Sequence, residues 1–291
     1  MKPAPFEYKR PQTVEEAVAL LGDDGARARV LAGGQSLVAE MNYRRARPAR
    51  IVDINAIAAL EVIEADGESL RVGALVRHVQ LERGATDGPL GRLLTRVSRH
   101  VAHPPIRNRG TMVGSLAYAH PAAEWGAVAV ALGAELRLAS VGGTRVVAAE
   151  DFFRGPFVTD CGPAEFVIEV RLPALGADMG VGFVELRRTH SSFAMVAAVA
   201  VLGIADGRVT DARIALANAS SRPLRVETAE AVLVGACATS ASFAAAAAAA
   251  AAQADPVSEP HASADYRRHA AEVLVLRALA AAAADVGAAC A

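Results

Sequence analysis

The sequence predicts an α+β fold in two parts, and three observations carry that prediction. Across residues 1–176, strand signals and amphipathic helical segments alternate around two loops of glycine and hydroxyl residues, which reads as an α/β unit. Across residues 177–291, three apolar strand signals come first and helical segments last, which reads as a small α+β domain with an antiparallel sheet. Between them, Pro173 to Gly182 is Gly-rich and turn-like, and the domain boundary is expected there. A chain of 291 residues has room for two modest cores.

Thr13-Val14-Glu15-Glu16 is a capping-box pattern, and Val14, Ala17, Val18 and Leu21 follow at helical spacing, with Gly22 expected to end the helix. A strand at Arg29–Leu31 then leads into the first loop, Leu31-Ala32-Gly33-Gly34-Gln35-Ser36-Leu37. Strands are expected at Ile51–Ile54 and Leu70–Gly73. Leu90, Leu93, Leu94, Val97 and Val101 form one apolar stripe, which predicts a helix over 88–101 that His103-Pro104-Pro105 stops. Ile106–Ser115, which contains the second loop Arg109-Gly110-Thr111-Met112-Val113-Gly114-Ser115, reads as irregular. Pro121 fits the first turn of a helix running through Leu132. Glu135–Leu138 and Arg145–Ala148 flank Gly142-Gly143 as a hairpin, and Phe166–Leu172 is a further strand.

In the second part, strands are expected at Gly182–Arg187, Met195–Ile204 and Val209–Ala217, with Asp206-Gly207 as the tight turn of the last hairpin. Helices follow near 225–236, 240–253 and 264–286. The alanine run Ala244–Ala252 favours helix but offers little side chain, and no chemistry is assigned to it.

Composition narrows the function. Apolar content of 53% and charged content of 21% describe a folded chain. Thirty Lys and Arg against 31 Asp and Glu leave a formal charge of −1, so nothing points to nucleic acid. The arginines near 44–50 and 92–109 read as a solvated face. Cys161, Cys237 and Cys290 are scattered, which fits a reduced cytoplasmic setting and excludes an iron–sulfur cluster built from this chain alone. The seven histidines have no metal spacing, so no metal ligand is expected. Met1 to Arg10 has no apolar core of a secretory signal. The run Phe193 to Ala205 is too short for a membrane span and reads as a buried strand.

The chemistry lies in the two loops. Glycine lets a backbone turn through positive φ and approach a ligand closely, and successive N–H groups in such a turn can hold an anion. Ser36, Thr111 and Ser115 add hydroxyl donors. Gly33–Ser36 lacks the lysine of a P-loop, and no Gly-x-Gly-x-x-Gly occurs here. Each loop alone fits a plain turn or helix cap. Two of them together suit a pyrophosphate gripped from both sides, hence a dinucleotide. No Gly-x-Ser-x-Gly nucleophile elbow occurs, and no catalytic residue is assigned.

An ordered set of segments carries a resemblance. Ala32-Gly33-Gly34-Gln35-Ser36-Leu37, Ile51-Val52-Asp53-Ile54, Arg71-Val72-Gly73-Ala74, Arg107-Asn108-Arg109-Gly110-Thr111, Pro121-Ala122-Ala123-Glu124 and Phe166-Val167-Ile168-Glu169-Val170 follow one another in that order. Together they resemble the FAD-binding medium subunit of the molybdenum hydroxylases, the family of carbon monoxide dehydrogenase and xanthine dehydrogenase. The resemblance implies a two-part FAD-binding domain of the PCMH/vanillyl-alcohol-oxidase-like kind over 1–176, followed by a C-terminal domain over 177–291. It implies that Leu31 to Leu37 and Thr111, Gly114 and Ser115 clasp the FAD pyrophosphate. It further implies that Glu124 meets ribose or ribityl hydroxyls, that Val101 and Ala102 lie beside the flavin or its chain, and that Ile168 lines the site.

As plain sequence features, Glu124 is a helix N-terminal acid and the other three are core residues. Three positions depart from the family pattern. Val113 stands where the family usually has a glycine, and with a β-branched residue there the turn is expected to be β-like or lightly reshaped. His120 replaces an aspartate, and Ser192 takes an acidic position.

The function implied is an oxidoreductase subunit that carries electrons. A small subunit would hold two [2Fe–2S] clusters and a large subunit the molybdopterin cofactor. Dissociable FAD here would pass electrons to an external acceptor, in a stable assembly, a dimer of heterotrimers. The alternative is a self-sufficient FAD-dependent oxidase or dehydrogenase of the vanillyl-alcohol-oxidase type, which would need a substrate pocket and a base of its own.

Overall fold

The computed structural model describes residues 2–24 and 27–287, so Cys290 lies outside the described residues. A small parallel sheet opens the chain: β1 (Glu7–Lys9), α1 (Val14–Asp24), β2 (Ala28–Leu31), α2 (Leu37–Asn42) and β3 (Arg50–Asp53), with strand order β1–β3–β2. Leu31 pairs with Asp53, so the carboxyl ends of β2 and β3 finish side by side. Chain leaving both ends is thereby brought to one edge, the position where parallel sheets bind ligands.

A five-stranded sheet follows: β4 (Ile63–Ala65), β5 (Ser69–Gly73), α3 (His78–Glu82), α4 (Gly88–Ser98), α5 (Pro104–Arg107), α6 (Met112–Tyr118), α7 (Glu124–Leu132), β6 (Glu135–Ser140), β7 (Gly143–Ala148), α8 (Ala149–Phe152), β8 (Phe153–Gly155), β9 (Val158–Thr159) and β10 (Phe166–Pro173). Its order is β4–β5–β10–β6–β7, all antiparallel, while β8 and β9 pair separately. The last part is β11 (Met179–Leu186), β12 (Val196–Ala205), β13 (Arg208–Ala217), β14 (Leu224–Arg225), α9 (Glu227–Leu233), α10 (Ser240–Gln253) and α11 (Ala264–Val286). Its sheet is antiparallel in the order β11–β12–β13–β14.

This third sheet is buried on both faces. Along β12, Val196, Ala198, Ala200 and Leu202 enter the core under the C-terminal helices, while Ala197, Val199 and Val201 enter the core of the N-terminal part. That is the period-2 alternation of a strand with two apolar faces. Small residues decide how closely the last helix lies on it. A Cβ at Gly180 or Gly182 would fall 2.0 Å from the carbonyl oxygens of Ala282 and Ala278 respectively. Among the described residues, no helix is long and apolar enough to cross a membrane.

The hairpin at 135–148, the turn at Asp206-Gly207 (φ 49° and 71°) and the helices at 240–253 and 264–286 lie where the sequence places them, whereas α9 is shorter than the expected 225–236 because Arg225 pairs with β13 as part of β14. Several local expectations are corrected. Helix α1 continues through Gly22 to Asp24. Helix α4 ends at Ser98, before the proline pair, and Pro104 starts α5 rather than stopping a helix. Pro121 stands three residues ahead of α7, which begins at Glu124. Ile106–Ser115 is not irregular: it holds the end of α5 and the start of α6. Val113 is therefore helical, neither β-like nor at positive φ, and a β-branched residue fits there at little cost.

Candidate functional site

The first loop leaves β2 and turns at Gly34, whose φ of +74° suits glycine. Ser36 then caps α2 without a side-chain bond of its own. Among the described residues, the N–H groups of Gly34, Gln35 and Ser36 donate to no other part of the chain. The second loop starts α6, with Thr111 as N-cap. Its hydroxyl oxygen accepts from the Gly114 N–H at 3.0 Å. A Cβ at Gly114 would sit 2.7 Å from that oxygen, so glycine keeps the cap closed. The Gly114 N–H is thus taken up within the chain, while the proton of the buried Thr111 hydroxyl has no acceptor among the described residues.

The two loops touch backbone to backbone. A Cβ on Gly33 would lie 2.5 Å from the Arg109 carbonyl oxygen and 2.7 Å from the Gly110 Cα. Side chains absent from the sequence expectation tie them further. Asn55 Nδ2 donates to the Ala32 carbonyl at 2.9 Å, and Asp53 Oδ1 accepts from the same nitrogen. Arg77 donates through Nη2 to Asn55 Oδ1 and through Nη1 to the Arg109 carbonyl, each at 2.6 Å. At the far ends of α2 and α6, Tyr118 donates to Glu40 Oε1 at 3.1 Å. Beneath the second loop, the His78 amide donates to the Gly110 carbonyl at 3.0 Å, and the His78 Nδ1 accepts from Trp125 Nε1 at 3.1 Å. Burial, aided by Arg107 and Arg77, pushes the His78 pKa down to about 3, so the ring is a neutral strut.

Glu124, the first residue of α7, is 5% exposed. Burial pushes its carboxyl up to about 7; Glu185 adds to the rise, while its own backbone amide and Arg187 oppose it. The Glu185 side chain is itself buried, 2.9 Å from Arg187 Nη1 and 3.1 Å from His100 Nδ1, at ion-pair distance but without in-line hydrogen bonds. Arg187 also donates to the His100 carbonyl at 3.1 Å, beside Val101 and Ala102. The carbonyls of Val101 and Ala102 accept from Arg107, and Ala102 has φ 44°.

Ile168 lies at the bulge of β10, where the pairing with β6 shifts, and its carbonyl accepts from Ala74. The structure thus sets the Leu31–Leu37 loop against the Arg109–Gly110 backbone that leads into Thr111–Ser115. It groups Glu124 with Val101–Ala102 through Glu185 and Arg187. No hydrogen bond joins Glu124 to either loop among the described residues.

At the departures, His120 is stacked on Phe193 with centroids 3.9 Å apart and planes 5° apart, and burial lowers its pKa. Ser192 closes a turn by donating to the Thr189 carbonyl. Among the described residues, no group of three or more His, Cys, Asp or Glu could hold a metal ion.

These features fit a bound dinucleotide: unpartnered amides at a sheet edge, two loops in contact, and a buried carboxyl whose pKa burial raises to about 7. The family follows from comparison. Residues 4–175 match the FAD binding domain in molybdopterin dehydrogenase, and residues 182–282 match the CO dehydrogenase flavoprotein C-terminal domain. The chain belongs to this family of FAD-binding subunits of molybdenum hydroxylases.

It is 38% identical to the 6-hydroxypseudooxynicotine dehydrogenase complex subunit alpha of Paenarthrobacter nicotinovorans, over 96% of this chain and 95% of that one. It is 35% identical to the carbon monoxide dehydrogenase medium chain of Hydrogenophaga pseudoflava, over 96% and 97%. The structure of the Hydrogenophaga pseudoflava carbon monoxide dehydrogenase lacking the Mo-pyranopterin moiety contains a chain that superposes with a TM-score of 0.94. That chain is 37% identical, and all of both chains is covered.

Proposed function

We propose that this chain holds one dissociable FAD and passes electrons from the [2Fe–2S] clusters of a small partner subunit to an external acceptor, within an assembly that includes a large molybdopterin subunit. The observation that carries the proposal is the backbone contact between the two loops at Gly33 and Arg109, at the carboxyl edge of the parallel sheet. In this reading Leu31–Leu37 with Thr111 and Ser115 hold the pyrophosphate. Glu124 accepts from sugar or ribityl hydroxyls, and Val101, Ala102 and Ile168 shape the slot. Flavin supplies the electron chemistry, and the chain positions it. The division into domains 1–176 and 177–291 is part of the same proposal. The relatives above are named for a nicotine derivative and for carbon monoxide, which fits substrate selection outside this subunit.

The test is direct. Acid precipitation of the reconstituted chain should release flavin that chromatographs as FAD, one per chain. FMN in the supernatant, or colour left in the pellet, would overturn the dinucleotide or the dissociable part. The isolated chain should be reduced by dithionite yet oxidise no organic substrate. Catalytic oxidation by the lone chain would transfer the assignment to the self-sufficient oxidase.

The hydroxyls separate into two kinds. A hydrogen bond to a charged group contributes about 1.5–3 kcal/mol, so Ser36→Ala and Thr111→Ala should each weaken FAD about 10- to 150-fold. Thr111→Ala should also lower Tm, because it removes a helix cap worth about 1 kcal/mol. Ser36→Ala should leave Tm of the flavin-free chain unchanged, since Ser36 makes no cap bond. Titration and thermal melts of the two variants read both effects; wild-type affinity in both would remove the hydroxyls from the site.

A further inference from the structure

Arg267 on α11 is 1% exposed in a core made mostly of alanine. An arginine that far from water is costly unless its donors are met, and an apolar side chain of similar volume would fill the space without that cost. Every arm of the guanidinium is used. Nε donates to the Met195 carbonyl at 3.1 Å, Nη1 to Val257 at 2.6 Å and Nη2 to Asn218 at 2.6 Å. Glu259, half-exposed, stands 3.4 Å away as counter-charge.

Asn218, held at φ 59°, extends the system toward the N-terminal part. Its backbone N–H donates to the Pro121 carbonyl at 2.8 Å, and its Nδ2 donates to the Ala194 carbonyl at 2.8 Å. Pro121 lies between His120 and Glu124, and Ala194 follows Phe193. The two segments so gripped, 120–124 and 193–195, carry the stacked His120–Phe193 pair and the buried Glu124.

We propose that Arg267 and Asn218 are positioning residues, a clamp by which the C-terminal domain fixes the segments 120–124 and 193–195 and, through Glu124, one wall of the flavin site. The inference rests on the flavin reading of that site. It explains why a charge is buried under the last sheet: three carbonyls from three separate segments meet at one planar group with fixed donor directions. Lysine, a point charge on a flexible stem, cannot reproduce that geometry.

Two variants of the full chain test it. Asn218→Gly keeps the left-handed backbone and the bond to Pro121 but releases Ala194. Arg267→Lys keeps the charge and loses the fork. FAD titration, visible circular dichroism of the bound flavin, and Tm are measured for each. Asn218→Gly should raise the FAD Kd about 2- to 10-fold, the loss of one hydrogen bond, and alter the flavin dichroism with Tm within a few degrees of wild type. Arg267→Lys should do more on the first two readouts.

In the flavin-free chain, Arg267→Lys should speed amide hydrogen exchange at Ala123 and Asn218 relative to α1. Wild-type Kd and dichroism in both variants, or affinity lost only in step with Tm, would overturn the clamp. Unchanged exchange would overturn it whether or not FAD binds, whereas failure of the wild-type chain to take FAD would defeat the flavin reading separately.

Discussion

Gly33→Val should abolish measurable FAD retention while leaving the C-terminal sheet and its helices folded. The added Cβ would stand 2.5 Å from the Arg109 carbonyl oxygen and 2.7 Å from the Gly110 Cα, and both obstacles are backbone. A flexible side chain could swing aside; here the loops must part. The Arg109 carbonyl is also held by Arg77 at 2.6 Å, which resists the movement. Overpacking of this kind costs about 1–3 kcal/mol or more. In the proposed clasp, parting the loops would also remove donors on one side of the pyrophosphate, at about 1.5–3 kcal/mol each.

With two donors lost, the sum of about 4–9 kcal/mol corresponds to a Kd raised about 1000-fold or more. Alanine places the same first atom, so Gly33→Ala should already show most of the loss. Gly34→Ala is the control. Its Cβ would meet only the Leu31 and Val38 side-chain tips at 3.2 and 3.3 Å, and its penalty comes from φ +74°, about 1 kcal/mol. Calorimetric titration with FAD should therefore rank Gly33→Val and Gly33→Ala well below Gly34→Ala. The reverse order would show that the loops are not a clasp.

What was legible in the sequence was local. Asp206-Gly207 between apolar runs marked the hairpin because few residue pairs accept two consecutive positive φ angles. The two loops were visible because glycine and hydroxyl residues cluster within a few positions. The links that join them were not, because Arg77 lies 22 residues from Asn55 and 32 from Arg109. Only the parallel pairing of β2 with β3 brings Asn55 to Ala32.

Helix α6 was missed for a different reason. Gly110, Thr111, Gly114 and Ser115 look like loop chemistry, yet Thr111 capping Gly114 is a helix start of one turn. That signal was present in the spacing of Thr111 and Gly114. The unusual surroundings of Glu124 had no such signal. They depend on Glu185 in β11 and on Arg187 just past its end, some sixty residues later.

The FAD affinity of the wild-type chain should rise with pH toward about 7 and then level off. In the flavin-free site, burial holds the Glu124 carboxyl up at about 7, with Glu185 raising it further and Arg187 and the residue's own amide opposing. Hydroxyls of a bound flavin would donate to the ionised form, so binding should pull the pKa down and release a proton. Between the lowered bound value and 7, affinity should change by up to tenfold per pH unit, tighter at higher pH.

The stability of the flavin-free chain should move the opposite way. A carboxyl whose folded pKa is raised from 4.5 contributes fully below about 4.5, and that contribution is lost as pH climbs to about 7. The loss is about 3 kcal/mol. The groups facing Glu124 are Glu185 and Arg187, with His100 behind Glu185, and His120 titrates from a lowered value. Glu124→Gln keeps the shape and removes the titration. Its FAD Kd should be flat from pH 5.5 to 7.5, and its flavin-free Tm should exceed that of wild type at pH 7.5. A flat wild-type Kd across that range, or a slope that survives in Glu124→Gln, would take Glu124 out of the flavin site.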